Sequence, residues 1–199
     1  MLYENTASLT FNYIVKQLDK NDFENVAYSN TNKDINKSKV TRFGNVYEKN
    51  VREQFKNMQE VVMNREIPIL SKLLSETPFD AGYESVAEQY FEKMSDKYGI
   101  IADTVLQNIY LNNMYENHYL LKHLLYIVAN LPKDRRNNLE LIPLAGISNP
   151  DIEIQDLSVK CFEAWEDKRH VQTLVMLRNK TNVEWFRSYI DEVIEELNE

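Results

Sequence analysis

The sequence is poor in the residues that make turns, and it has a single cysteine. Only four of its 199 residues are glycine and five are proline, whereas an all-β fold needs turn residues about every 8–12 positions. Phosphate-binding loops also depend on glycine. The composition therefore argues against both kinds of structure. Because Cys161 has no second cysteine to pair with, no disulfide forms within the chain and nothing indicates an oxidising compartment.

Long apolar segments are missing as well. No apolar run in the sequence approaches the roughly 18 residues that a membrane-spanning helix requires, and the first residues lack the basic and apolar regions of a signal peptide. We therefore expect a cytoplasmic protein that does not contact membranes. The net charge of −8 disfavours general binding of nucleic acid, because phosphate backbones repel an acidic surface.

What the chain does contain is apolar residues at helical spacing. In 83–199 the predicted helices are 10–15 residues long with links of two to five residues, which is typical of antiparallel helix hairpins. Met94, Leu131, Trp165 and Leu197 recur at separations of 37, 34 and 32 residues, a period typical of α-solenoids. We predict an all-α fold, with 1–199 as a single domain and 83–199 as a short α–α superhelix of stacked antiparallel helix pairs.

The N-terminal part, 1–82, is predicted to hold helices and a polar loop. The helical periodicity is lost over 22–45, so we expect a long polar loop there, and its part 28–45 is expected to be mobile or to fold on binding. A small hairpin pairing Val26–Tyr28 with Val40–Phe43 is an alternative. Pro68 is predicted to begin a short separate helix, since proline fits the first helical turn. The helix before it is predicted from the stripe Val51, Phe55, Met58 and Val62.

One junction resembles a HEAT repeat. Leu141–Leu144 is followed by the turn Ser148–Asp151 and then by a helix that continues to Phe162. Pro143 stands where that family has its helix-kinking proline and Asp151 where it has its turn aspartate, while Gln155 replaces its stacking arginine. The resemblance is clearest over 141–162, is weak over 83–199 and is absent from 1–82. It implies a HEAT-like stack of helix pairs that binds macromolecular partners.

A basic edge is predicted from the register of the stacked pairs. The turns within two successive pairs carry Lys133, Arg135, Arg136, Lys168 and Arg169. Because stacking places equivalent turns side by side, these five residues, here called the basic edge, would form a docking ridge for an acidic partner. The alternative is that they are ordinary solvated turn charges. The turns between pairs carry acidic residues on the opposite edge: Glu116, Asp151 and Glu153.

Four tyrosines lie close together in the sequence: Tyr110, Tyr115, Tyr119 and Tyr126. Tyrosine is enriched at binding surfaces, because it combines apolar area with a polar tip. Tyr115 and Tyr119 are therefore added to the candidate binding residues. The alternative is that the four rings line the core between repeats, with their hydroxyls at its rim.

The remaining candidates favour structural roles. Cys161 is predicted to be a buried, inert packing residue. His118 and His123 are five residues apart, a spacing that does not place two ligands on one helix face. Asp167 and His170 have one-turn spacing but no further ligands nearby in sequence, and Asp167 is better explained as a helix N-cap. We predict no catalytic residue, no metal and no cofactor.

These observations together favour a non-enzymatic protein–protein interaction module, such as an adaptor, an inhibitor or an immunity-type binding protein. The expected partner is another protein with an acidic surface, and the oligomeric state is left open. The alternative is a HEAT-like nucleic-acid-binding protein or DNA-repair enzyme, which the acidity of the chain disfavours.

Overall fold

A computed structural model describes residues 37–199 of the chain, except 81 and 137. The chain divides into two compact units, Met1–Met58 and Gln59–Glu199. In the first unit, residues 37–58 are described and are helical. Residues 1–36 lie outside the described part, so the single-domain prediction for 1–199 stays a prediction.

The regular structure of the described residues is entirely helical, which confirms the all-α prediction. A lone bridge joins Asp80 and Tyr83. A 3₁₀ turn, Lys168–His170, precedes the last two helices. The helices are α1 (Lys37–Glu76), α2 (Val86–Tyr98), α3 (Ile100–Asn113), α4 (His118–Asn130), α5 (Lys133–Arg136), α6 (Leu141–Gly146), α7 (Ile152–Trp165), α8 (Val171–Lys180) and α9 (Glu184–Asn198).

Two N-terminal predictions are wrong. Because α1 begins at Lys37, residues 37–45 of the predicted polar loop are helical, and Val40–Phe43 is not a strand. Residues 22–36 of that loop, which include Val26–Tyr28, lie outside the described residues. The helix also runs through Pro68, where the sequence predicts a new helix.

Burial on both sides of Pro68 explains why α1 continues. Val62, Glu66, Leu70 and Leu74 follow one another at four-residue spacing and are all buried. Packing of this stripe outweighs the hydrogen bond that the proline removes, because most helical stability in proteins comes from tertiary contacts. Met58, which the sequence places on the apolar stripe, is 48% exposed. The buried stripe instead includes a carboxylate.

The start of α2 is fixed by a capping box. The Ser85 hydroxyl accepts a hydrogen bond from the backbone N–H of Glu88 at 3.1 Å, and the Glu88 carboxylate accepts one from the N–H of Ser85 at 3.4 Å. His123 of α4 contacts the same hydroxyl. At its other end α2 is joined to α3 by Gly99 alone, whose φ of 55° favours glycine.

Helices α4 and α7 pack side by side and run in the same direction. At their N-terminal ends, Nδ1 of His118 in α4 lies 2.7 Å from a carboxylate oxygen of Asp151, the N-cap of α7. Further along, the Cys161 thiol lies 3.5 Å from the Leu125 carbonyl. This arrangement is compatible with stacked repeats. The HEAT-like repeat itself is not tested by it and stays a prediction.

The C-terminal helices complete the core. α9 packs on both α7 and α8, and α6 packs on α7. The buried residues of α9 are Phe186, Ile190, Val193 and Leu197. No helix in the described residues combines the length and the apolar character that crossing a membrane requires.

Candidate functional site

Two arginines of the basic edge are held by contacts within the fold. Arg135 forms an ion pair with Asp103, which is only 2% exposed. Arg136 donates to the carbonyl oxygens of Leu131 at 2.8 Å and Ala164 at 2.7 Å. These carbonyls lie at the C-terminal ends of α4 and α7, where a cation is favoured. Arg136 therefore joins the ends of two neighbouring helices.

The other members of the basic edge lie at the 3₁₀ turn. Arg169 donates to the Asp167 carboxylate at 2.6 Å, and its guanidinium also lies 4.0 Å from Glu140. Lys168 is exposed. The side chain of Lys133 lies outside the described residues. Arg135 and Arg169 pair with carboxylates and Arg136 donates to carbonyl oxygens, so fewer of their donors are available to a partner than the sequence suggests. The binding role of the edge stays a prediction.

Two of the acidic residues predicted for the opposite edge, Asp151 and Glu153, lie at the start of α7, whereas Glu116 lies in the turn before α4. Asp151 caps the helix by accepting from the N–H of Glu153 at 2.8 Å. It also contacts His118, and Glu153 pairs with Lys122 of α4. Arg136 contacts the other end of α7. The acidic residues thus lie at the N-terminal end of α7 and the contact with Arg136 lies at its C-terminal end, so the 14-residue helix separates them.

The four tyrosines do not form one surface. Tyr110 is fully buried, whereas Tyr115 is 72% exposed. The Tyr119 hydroxyl donates to the Thr77 carbonyl at 3.0 Å, and the Tyr126 hydroxyl donates to the carbonyl of Asp80 at 3.0 Å. Tyr119 and Tyr126 therefore help to hold the link between α1 and α2. The proposed binding role of Tyr115 and Tyr119 is not tested by these contacts.

The burial predicted for Cys161 and the N-cap position predicted for Asp167 are confirmed. Cys161 is fully buried, and burial raises the pKa of its thiol, which keeps it in the unreactive protonated form. Asp167 accepts from the N–H of Arg169 at 3.0 Å as an N-cap. Among the described residues, no group of three or more histidine, cysteine or carboxylate side chains is arranged to hold a metal ion.

A cleft that the sequence does not reveal opens between α1 and α2. It has a volume of about 280 Å³. Three of its residues are cations, two are tyrosines and one is a carboxylate. We call it the basic cleft, and it is lined by Arg65, Glu66, Tyr90, Lys93, Met94, Lys97 and Tyr98.

Glu66 organises one wall of the basic cleft. Its carboxylate is 5% exposed and accepts two hydrogen bonds from Arg65, at 2.8 and 2.5 Å. The Tyr90 hydroxyl donates to its other oxygen at 2.5 Å. Burial acts to raise the pKa of Glu66, but the hydrogen bonds from Tyr90 and Arg65 outweigh it and lower the pKa below its usual value. Glu66 is therefore ionised near neutral pH.

Tyr98 holds the outer side of the same arginine. Its hydroxyl accepts a hydrogen bond from Arg65, which leaves the phenolic proton available to donate to a ligand. The Arg65 guanidinium carbon lies 5.5 Å from the centre of the Tyr98 ring, and the Lys97 ammonium lies 5.1 Å from it. Both distances are within the range of cation–π attraction. Arg65 is thus oriented from two sides while remaining 52% exposed.

The two lysines supply the other positive charges. Lys93 and Lys97 are exposed and are separated by one helical turn on α2, where like charges repel. With Arg65 they give the cleft three cations against the single carboxylate of Glu66, which leaves a local charge of +2. The positive charge of the cleft favours anions over cations.

Sequence reasoning misses this cleft for a definite reason. Its cations come from two segments 28 residues apart, Arg65 and Lys93–Lys97, and neither segment carries a motif. The one available signal is the pair of lysines at i and i+4, which is unfavourable for the helix itself.

Comparison with family models, with curated proteins and with solved structures finds no significant match to this chain.

Proposed function

We propose that this chain is a non-enzymatic protein-interaction module that binds an acidic partner protein through the basic cleft. The observation that carries the proposal is the convergence of Arg65, Lys93 and Lys97 on one cleft in a chain whose net charge is −8. A local positive site on an acidic protein attracts an anionic group of the partner and disfavours other orientations of approach.

The order within the cleft supports binding. Glu66 and Tyr98 hold the guanidinium of Arg65 in place before any partner arrives. Less side-chain entropy is then lost on association, and a larger share of the interaction contributes to affinity. Arginine also matches the planar, two-oxygen geometry of a carboxylate or phosphate group.

The protonation states in the cleft favour binding over catalysis. The pKa of Glu66 is lowered by its hydrogen bonds, which makes it a weaker base. Burial and the neighbouring Glu66 raise the pKa of Tyr90 to about 12. An acid–base catalyst works best with a pKa near the working pH. The pKa values of Glu66 and Tyr90 are both shifted away from neutral pH.

A HEAT-like stack remains the proposed scaffold. The parallel packing of α4 on α7 supports it, with contacts between residues 33 and 36 positions apart, such as His118 with Asp151 and Leu125 with Cys161. Stacked helix pairs present extended surfaces to macromolecules. The basic edge, with Lys168 exposed, is a second proposed contact for the same partner.

The test removes the positive charges of the cleft. The full-length chain is immobilised and used to capture proteins from an extract of its own cells, at low and at moderate salt. It is compared with the double variant Lys93→Gln, Lys97→Gln. The matched control is Lys72→Gln with Lys160→Gln, two exposed lysines that do not line the cleft. Lys168→Gln with Arg169→Gln tests the basic edge separately.

We expect the wild type and the matched control to retain one acidic protein that the cleft variant loses, and we expect salt to weaken its capture. Equal capture by all variants would overturn the proposal. Tight binding of duplex DNA at physiological salt, lost in the cleft variant, would favour the nucleic-acid alternative instead.

A further inference from the structure

We infer that the basic cleft recognises a phosphorylated side chain of the partner, that is, a phosphate monoester rather than a carboxylate. This inference rests on the proposed function and names the group that the partner presents. It follows from the charge, the donors and the size of the cleft.

The charge of the cleft matches a dianion. Its three cations and one carboxylate leave a charge of +2. A phosphate monoester carries about −1.5 to −2 charges at pH 7, so it neutralises the cleft almost completely. An aspartate or glutamate side chain carries one charge and would leave a cation of the cleft without compensation.

The donors of the cleft outnumber the acceptor oxygens of a carboxylate. Arg65 uses Nε and Nη2 on Glu66 and Tyr98, so its Nη1 can turn to a ligand. Tyr98 has its phenolic proton, and each lysine carries an ammonium group with three donors. Four side-chain groups around one anion suit the three acceptor oxygens of a phosphate monoester.

The size of the cleft accommodates a phosphate monoester. Its volume of about 280 Å³ lies just below the usual range of pockets for drug-sized ligands, which starts at roughly 300 Å³. One phosphorylated side chain therefore fits within this space.

Nucleic acid is a poorer match for the same cleft. A phosphodiester carries one charge per phosphate, and a duplex needs several phosphate contacts to bind at physiological salt. The net charge of the chain is −8, which opposes the approach of a polyanion. A lone phosphate on a protein avoids that cost, because only the modified side chain carries the two charges.

The experiment uses two ligands of the same shape and different charge. Phenyl phosphate is a dianion at pH 7.5, and phenyl sulfate is a monoanion with the same ring and nearly the same anionic group. Each is titrated into the full-length chain while amide signals are followed by NMR. We expect phenyl phosphate to bind about tenfold tighter or more, since one additional charge close to the cations is worth at least about that factor.

Three further results are expected. The shifted amides should cluster around Arg65 and Lys93–Tyr98. The preference for phenyl phosphate should shrink as the pH falls below about 6, the second pKa of a phosphate monoester. It should be lost in the variant Lys93→Gln, Lys97→Gln and kept in Lys72→Gln, Lys160→Gln. Equal binding of the two ligands, or shifts centred elsewhere, would overturn the inference.

A phosphatase arm distinguishes this inference from the proposed function. If the wild type captures the acidic partner equally well from a phosphatase-treated extract, and the cleft variant still loses it, the inference fails and the proposed function stands. If capture never depends on the cleft lysines, both fail. A DNA duplex that competes with phenyl phosphate for the cleft at physiological salt would also overturn the inference.

Discussion

The Nε2 atom of His123 lies 2.7 Å from the hydroxyl oxygen of Ser85, 38 residues earlier in the chain. Its Nδ1 atom lies 3.1 Å from the carbonyl oxygen of Leu74. Because a carbonyl only accepts, Nδ1 carries the proton and Nε2 accepts from Ser85. His123 is fully buried and stacks on Phe79 with ring centres 4.5 Å apart. A neutral imidazole therefore joins the end of α1 to the start of α2, the two helices that line the basic cleft.

We expect this histidine to make the free energy of unfolding depend on pH. Burial lowers the pKa of His123, so between its folded pKa and the ordinary value of about 6.5 the unfolded chain binds a proton that the folded chain does not. Stability therefore rises with pH through this window and is lost as the pH falls below about 6.5. Urea unfolding at several pH values between 8 and 5.5 measures this dependence of the free energy of unfolding on pH.

The variant His123→Gln assigns the effect, because glutamine is neutral at every pH used. It should be less stable than the wild type at pH 8 and should show a shallower pH dependence. His170 is also buried with a lowered pKa, so part of the slope should remain. A slope identical to that of the wild type would show that His123 does not titrate as the geometry requires.

Arg136 and Arg169 should differ in their effect on stability, although both belong to the basic edge. Arg136→Ala removes hydrogen bonds to the carbonyls of Leu131 and Ala164 and should cost about 2 kcal/mol, since bonds to charged groups are worth about 1.5–3 kcal/mol. Arg169 is 62% exposed, so Arg169→Ala should stay within about 0.5 kcal/mol. Chemical denaturation of both variants measures the two losses in the free energy of unfolding. Equal losses would contradict the different roles that the contacts assign to them.

The ion pair of Asp103 with Arg135 should be costly to break from one side. Arg135→Ala leaves a 2% exposed carboxylate without its cation and should destabilise the fold by about 3 kcal/mol. Burial already raises the pKa of Asp103, so protonation should relieve part of the loss as the pH is lowered. The double variant Asp103→Asn, Arg135→Ala should be more stable than Arg135→Ala alone. If it is less stable, the uncompensated charge is not the cause.

Gly146 should tolerate no side chain while Ser158 is present. A Cβ atom at this position would lie 2.1 Å from the Ser158 hydroxyl and 3.2 Å from that of Tyr110. Gly146→Ala should therefore cost about 1–3 kcal/mol through overpacking, despite the roughly 1 kcal/mol by which alanine favours a helix over glycine. Ser158→Ala should recover part of that loss. Additive effects of the two substitutions in denaturation would exclude the clash.

The structural roles of several residues could be predicted from local patterns. The apolar position of Cys161 and the place of Asp167 before a helical segment are visible within a few residues of sequence, and both predictions are confirmed. Pro68 shows the limit of such patterns. Its local signal indicates a helix start, but the burial of Leu70 and Leu74 on the following turns keeps α1 continuous.

The sequence by itself determined the helical class. Its signals are the scarcity of glycine and proline and the helical spacing of apolar residues, and both can be recognised within a single segment of the chain. Only the tertiary structure decided which charges are available to a partner. It pairs Arg135 with Asp103 and gathers Arg65 with Lys93 and Lys97 around one cleft. Electrostatic interactions depend on distance in space and on burial, and a separation of 28 or 32 residues along the chain specifies neither.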